Sequence, residues 1–254
     1  MTPAAPYVRS TTDESVATLV LDSPHNRNAL STRLMAELTA GLADAAADPE
    51  VRAVVLGHTG RVFCAGADLS EATGDDPTAA PRGLVALQRA IVDCPKPVIA
   101  LVDGHVRAGG LGLVGSCDLA VAGPDATFAF TESRLGLAPA VISLPLRPKL
   151  DPRAAARYYL TGETFDSAEA ARIGLVTEAA DDAAAELRTI LDAVRLCSPQ
   201  GLAESKLLAN AAVRESFDRY GEELVALSAK LFGSEEAQEG MRAFLAKRPA
   251  PWVR

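Results

Sequence analysis

Ala108-Gly109-Gly110-Leu111-Gly112 follows the apolar run Pro97-Val98-Ile99-Ala100-Leu101-Val102, and Cys64-Ala65-Gly66-Ala67-Asp68-Leu69 follows Ala53-Val54-Val55-Leu56. Both apolar runs read as short buried strands. Small residues after such a strand let the backbone approach another group closely and leave amide N–H donors free to point at it. One such turn is a loop; two on neighbouring strands can aim two N–H groups at one oxygen. That is an oxyanion hole in outline, and it suggests chemistry on a carbonyl.

Working outward, Ser15-Val16-Ala17-Thr18-Leu19-Val20-Leu21 reads as a strand paired with the 7–10 region through a turn at Asp13-Glu14. Ser31 can cap a helix reaching about residue 47, with Leu34, Leu38 and Leu42 along one stripe. A strand at 53–56, a helix at 84–92 and a strand at 98–102 follow. A second helix starts at the second glycine turn, near Gly109, and strands at 119–122 and 127–130 come next. This alternation argues for βαβ units and a parallel sheet. From about Asp181 the character changes: 181–197, 199–213, 215–232 and 235–246 all read as helix. Leu202, Leu207, Leu208, Leu224, Leu227 and Leu231 in that tail need a surface, either the chain's own core or a second subunit. Gly74-Asp75-Asp76-Pro77-Thr78 has loop composition just beyond the first turn, where a mobile lip to a site would sit.

Composition bounds the function. The 254 residues are 48% hydrophobic, enough for a sizeable core and against wholesale disorder. Lys+Arg 25 against Asp+Glu 33 gives a net charge of −8 with no basic run, which argues against nucleic-acid binding but not against an anionic ligand met by a local cationic cluster. No signal peptide and no bilayer-spanning apolar stretch is visible, so a cytoplasmic protein without membrane partners is expected. Cys64, Cys94, Cys117 and Cys197 lack paired spacing and read as buried free thiols. His25, His58 and His105 are far apart, and no metal is expected.

Gly110-x-Gly112-x-x-Gly115 formally satisfies a dinucleotide fingerprint, with Glu132 about 20 residues beyond. In that motif the strand runs straight into the first glycine; here Asp103-Gly104-His105-Val106-Arg107 intervenes. The alternative is that Gly112 and Gly115 permit close helix packing. Glu132 follows the apolar run Ala126-Thr127-Phe128-Ala129-Phe130 and precedes Ser133-Arg134-Leu135-Gly136-Leu137. A carboxylate at the end of a buried strand is partly desolvated, which raises its pKa and suits it to general-base work near neutral pH. The other reading is a surface glutamate paired with Arg134.

Asn26-Arg27-Asn28-Ala29-Leu30, Phe63-Cys64-Ala65-Gly66-Ala67-Asp68-Leu69, Lys96-Pro97-Val98-Ile99-Ala100 and Ala108-Gly109-Gly110 resemble the crotonase (enoyl-CoA hydratase/isomerase) superfamily. So do Cys117-Asp118-Leu119-Ala120, the 130–139 stretch and Glu239-Gly240-Met241-Arg242-Ala243-Phe244, in the same order from about residue 7 to the C-terminus. The resemblance implies an α/β fold: a crotonase (ClpP/crotonase-like) spiral of ββα turns over 1–198, with a C-terminal helical region at 199–254 mediating homotrimers or homohexamers. It implies an acyl-CoA substrate, coenzyme A entering as part of it and no separate cofactor. Two backbone N–H groups hold the thioester oxygen in such proteins, and they fall on Ala67 and Gly109. Hydratases of the family carry two glutamates; one falls on Glu132 and the other on Gly112, which has no side chain.

The resemblance therefore leaves three activities open: hydration of a 2-enoyl-CoA, Δ3,Δ2-enoyl-CoA isomerisation by Glu132 alone, or acyl-CoA binding with little turnover. Gly110-Leu111-Gly112-Leu113-Val114, with Phe-x-Phe-Thr-Glu at 128–132 and Pro139-Ala140-Val141-Ile142-Ser143, is similar to a branch related to methylglutaconyl-CoA hydratases. That likeness leans towards hydration. By analogy with relatives, Asn26, Arg27, Ala29, Ala65, Asp68, Leu69 and Gly110 line the route of the substrate. Arg107 stands where many relatives carry an apolar residue. It is expected either to pair, with His105, with a distal carboxylate on the acyl group, or to point away and bridge to Asp118 or Glu132. Lys206 and Lys247 are candidates for the CoA phosphates or else solvated.

Overall fold

The structure, a computed structural model, describes residues 5–71 and 76–253. β1 (Val8–Asp13) and β2 (Val16–Leu21) pair antiparallel around Glu14 and Ser15. Both turn residues have positive φ, 44° and 64°, which matches the right-handed twist of a two-residue hairpin. The Ser31 hydroxyl then caps α1 (Thr32–Ala47) by accepting from the Leu34 N–H at 3.2 Å. Leu34, Leu38 and Leu42 form the buried stripe of that helix, each contributing about 1.5–3 kcal/mol of apolar burial.

Three strand–strand–helix turns follow. β3 (Ala53–His58) and β4 (Val62–Cys64) lead into α2 (Ala79–Asp93); β5 (Val98–Val102) and β6 (His105–Arg107) lead into α3 (Gly109–Ser116). β7 (Leu119–Ala122) and β8 (Thr127–Ala129) lead into a 3₁₀ turn (Glu132–Leu135) and α4 (Ser143–Leu146). The chain continues through α5 (Pro152–Thr161), β9 (Phe165–Asp166), α6 (Ser167–Arg172), β10 (Glu178–Ala179) and α7 (Ala183–Arg195). It ends in α8 (Pro199–Ala209), α9 (Ala211–Phe232) and α10 (Glu235–Leu245).

The first strand of each turn joins one sheet and the second joins another. The larger sheet has the order β1-β2-β3-β5-β7-β10 and is parallel from β2 onward; the smaller has the order β4-β6-β8-β9. In the smaller sheet β4, β6 and β8 run parallel, with Cys64 beside Val106 and Arg107 beside Ala129. The expected spiral of ββα units is therefore the observed α/β fold. The single sheet suggested by alternation alone is two, because β4 and β6 are three residues each and too short to show a period. The residues His105-Val106-Arg107 that separate β5 from the second glycine turn are β6 itself.

The C-terminal helices cover this core. Val213 and Phe217 of α9 pack with Val92 of α2 and Leu144 of α4. The expected helices at 199–213 and 215–232 break earlier than predicted, at Asn210, whose side chain donates to Asp118 Oδ1 at 2.6 Å. Lys206 is not solvated: its Nζ lies 2.7 Å from Asp118 Oδ2 and donates to the carbonyls of Ile91 and Lys96. This buried joint ties α8 to the ends of α2 and β7, whereas Lys247 lies exposed beyond α10. Cys64, Cys94 and Cys117 are buried thiols, but Cys197 is exposed. Of the expected lip, Gly74 and Asp75 lie outside the described residues; Asp76 accepts from Thr78 at the entry to α2. Among the described residues no helix is long and apolar enough to cross a membrane.

Candidate active site

Parallel pairing of β4 with β6 sets the two glycine turns against each other. Gly66 has φ +92°, and a Cβ there would meet the Ala108 Cβ at 2.9 Å and the Gly109 nitrogen at 3.4 Å. The first turn therefore needs glycine twice over, for its backbone angle and for the contact. Gly110 likewise lets the first turn of α3 sit on β4, since a Cβ there would meet the Cys64 Cβ at 2.8 Å. Gly110 thus supports the turn from behind. Gly109 opens α3, where an N–H has no intrahelical acceptor. The Ala67 N–H also donates to no backbone carbonyl among the described residues. Two free amides on touching turns are the arrangement that stabilises a developing oxyanion.

The 26–30 segment is laced to the first turn. The Ala65 N–H donates to the Arg27 carbonyl at 3.2 Å, and the Leu30 N–H donates to the Gly66 carbonyl at 2.8 Å. Asn26 Nδ2 donates to Asp68 Oδ2 at 3.1 Å, and Asp68 also accepts from the Ser70 N–H and hydroxyl. Asn28 is buried and structural: its amide holds the Ser23 N–H and the carbonyls of Thr59 and Val62. Asn26, Arg27, Ala29, Ala65, Asp68 and Leu69 thus gather around Ala67, with Arg27 exposed and Ala29 buried.

Glu132 opens the 3₁₀ turn three residues beyond Ala129, whose carbonyl accepts from the Ala108 N–H at 3.1 Å. That bond fixes the strand end carrying Glu132 beside the start of α3. The residue is 8% exposed, its Oε2 has no partner, and burial pushes its carboxyl up to about 7. An ion pair with Arg134 is not formed: Arg134 Nε instead donates to the Thr161 carbonyl. Tyr159, tilted on Phe130 with ring centroids 4.7 Å apart, also has an unpartnered hydroxyl; burial, then the nearby Glu132 charge, raises its pKa. Tyr159 forms one wall of a largely apolar cleft of about 520 Å³ lined also by Pro139, Ala140, Ser143, Leu224 and Leu227.

Gly112 has its own neighbours. A Cβ there would run into Gln88 Nε2 and meet Ile142 Cγ2 at 2.9 Å. A side chain at this position would meet α2 on one side and the residue before α4 on the other. Gly115 is held as closely by Leu146 of α4, so both glycines do permit tight helix packing. Gln88 has no exposed surface, and neither amide atom has a partner among the described residues. A buried polar group left unsatisfied costs about 1–3 kcal/mol, so each such group calls for an explanation.

Arg107 turns its guanidinium onto the smaller sheet, donating to the carbonyls of Val106 and Thr127 at 2.8 and 2.7 Å and to Thr127 Oγ1 at 2.9 Å. His105 Nδ1 shares that hydroxyl at 2.8 Å. The expected bridge from Arg107 to Asp118 or Glu132 is absent, because Asp118 is held by Lys206 and Asn210. His58 accepts from the Asp103 N–H, and the His25 ring lies tilted against Tyr7, with centroids 5.2 Å apart. Sequence reasoning missed Gln88 and Tyr159. The signal for Gln88 was present: it interrupts the apolar stripe of Leu84, Leu87 and Ile91. Tyr159 carried none, since an aromatic residue on a helix reads as core.

Two sheets wound with helices, carrying paired glycine turns beside a buried carboxylate, define the class of crotonase-like α/β spirals. Residues 11–254 match the model of the enoyl-CoA hydratase/isomerase family, and the chain belongs to that family. An enoyl-CoA hydratase from Mycobacterium avium, known from its crystal structure, is 56% identical, with a TM-score of 0.93 over 98% of this chain and 100% of that one. The enoyl-CoA hydratase domain-containing protein 3, mitochondrial, of Danio rerio is 30% identical over 92% of this chain and 83% of that protein. A methylmalonyl-CoA decarboxylase in complex with 2-nitronate-propionyl-CoA is 26% identical, with a TM-score of 0.85 over 98% of this chain and 99% of that one.

Proposed function

We infer that this chain is an enoyl-CoA hydratase, a lyase that adds water across the double bond of a 2-enoyl-CoA. The observation that carries the reading is the desolvated Glu132 set beside two free backbone donors, Ala67 and Gly109. The thioester oxygen would sit between those donors. Water oxygen bonds to Cβ, the double-bond electrons shift to form the enolate, and the charge moves onto the held oxygen. Each such donor typically lowers the barrier by about 2.7–4 kcal/mol, so the pair is the largest contribution. Glu132 takes the proton that water loses and delivers a proton to Cα, which collapses the enolate. A carboxyl titrating at about 7 is close to evenly poised for both transfers at neutral pH.

Asn26, Arg27, Ala29, Ala65, Asp68 and Leu69 would line the pantetheine and adenine route, with coenzyme A arriving as part of the substrate and no other cofactor. The apolar cleft beyond Tyr159 suits an aliphatic acyl tail. Arg107 is committed to β8 and does not enter the scheme. We assign the enzyme to the cytoplasm and to homotrimers or homohexamers. Hydration of crotonyl-CoA by the purified chain tests the activity. Isomerisation of a 3-enoyl-CoA without hydration of the 2-enoyl-CoA would replace the reading with that of an isomerase, and binding with neither reaction would make the chain an acyl-CoA-binding protein.

A further inference from the structure

We propose that Gln88 holds the water that attacks the acyl chain. The inference rests on the hydratase reading and adds a residue to it. Gln88 projects from the buried stripe of α2 into the space beside Gly112, which lies one turn along α3 from Gly109. Residues three apart share a helix face, about 4.5 Å apart along the axis. A thioester oxygen bound at the Gly109 N–H would therefore bring its Cα and Cβ onto the face where the Gln88 amide sits. That amide is fully buried, and both its donor and its acceptor are unsatisfied. The missing partner must both accept and donate, which water does and a thioester or an alkyl chain does not.

Two other unsatisfied buried groups bear on this. Glu132 Oε2 and the Tyr159 hydroxyl also lack partners, and the Glu132 charge is near enough to Tyr159 to raise its pKa. With Gly112 bare, Gln88 is the polar side chain that faces residue 112, with Ile142 as its apolar neighbour. A water accepting from Gln88 Nε2 and donating to Oε1 keeps one further O–H for Glu132. Gln88 orients this nucleophile and takes no proton itself, so the proton balance of the hydration is unchanged. An amide can do so without ionising, which leaves Glu132 free of a competing negative charge.

The test compares two reactions that share the thioester site. Hydration of crotonyl-CoA needs the held water; exchange of the Cα protons of butyryl-CoA in D₂O needs the oxyanion donors and Glu132 alone. Gln88→Leu, an apolar residue of similar volume in an apolar stripe, should lower the hydration kcat 30- to 300-fold, with KM and Cα exchange each within threefold. Gln88→Met should behave alike and serves where the leucine variant folds poorly; Gln88→Glu, which keeps an acceptor, should recover hydration to within tenfold of the parent. Hydration left intact in both apolar variants overturns the assignment. A parallel loss of hydration and exchange overturns it too, since that is the mark of a packing defect. If the parent itself exchanges but hydrates no enoyl-CoA, the hydratase reading falls and takes this role with it.

Discussion

Glu132 holds its proton into the neutral range because the strand end and the turn around it remove water and supply no cation. The same burial has a stability cost with a definite sign. The carboxyl titrates at about 7 in the fold against 4.5 as its ordinary value, so the protonated form is the one the fold prefers. Its contribution to stability is full below about pH 4.5, declines as pH rises through 7, and levels off above that, a difference of about 3 kcal/mol. Glu132→Gln should therefore match the parent in denaturant unfolding at pH 4.5 and exceed it by about 3 kcal/mol at pH 8.5. An advantage that does not grow with pH would contradict the burial of the charge. Glu132 was legible in the sequence as a candidate because it stands two residues beyond the apolar run Phe128-Ala129-Phe130, where a buried strand end was expected, although spacing alone also allowed a surface glutamate paired with Arg134. Gln88 and Tyr159 were not, because their significance lies in partners they lack, and a missing hydrogen bond leaves no mark on residue spacing.

At the scale of elements, α10 clasps the turn that carries Glu132. Gly240 faces the backbone of Leu135, and a Cβ there would lie 2.6 Å from the Leu135 carbonyl carbon. Gly136, with φ +73°, closes the same turn against Ala237. No side chain can yield at the Leu135 contact, so any larger residue must move the turn. Gly240→Ala should cost about 1–3 kcal/mol of stability, as overpacking does. It should also lower kcat 10- to 100-fold by displacing the carboxylate, with the Cα exchange of butyryl-CoA falling in step. Unaltered turnover in a folded Gly240→Ala protein would show that α10 does not position Glu132. The capped helix α1, the hairpin and the buried strands β3, β5 and β7 follow from caps and apolar runs that local sequence displays. The strands β4 and β6 escape such a reading because three residues do not make a period. They form because β3 and β5 have already placed them side by side, and it is they that press the glycine turns together.

At the scale of the whole molecule, Leu160, Leu196, Leu208 and Leu245 are each more than 60% exposed, and Leu207 and Phe244 are also open to solvent. Most of these lie on the C-terminal helices, whose other faces are spent on α2, α4 and the 3₁₀ turn. Association through the C-terminal helices would cover these side chains. Sedimentation at micromolar concentration should give a trimer or a multiple of it, and Leu208→Lys with Leu245→Lys should shift it toward monomer. A monomeric parent would contradict the assignment. The tail's need for a surface was legible in its leucines, but its division between the chain's own core and a partner was not, because that depends on where α9 lands.

The most direct test of Glu132 acting beside two backbone donors is the pH dependence of crotonyl-CoA hydration by the parent and by Glu132→Gln. The predicted result is a parent kcat/KM that rises with pH through an apparent pKa near 7, as the carboxylate becomes available to take the water proton, and a loss of 10²- to 10⁴-fold in the glutamine variant at pH 8. A Glu132→Gln protein that hydrates crotonyl-CoA as fast as the parent, with the same pH profile, would contradict it.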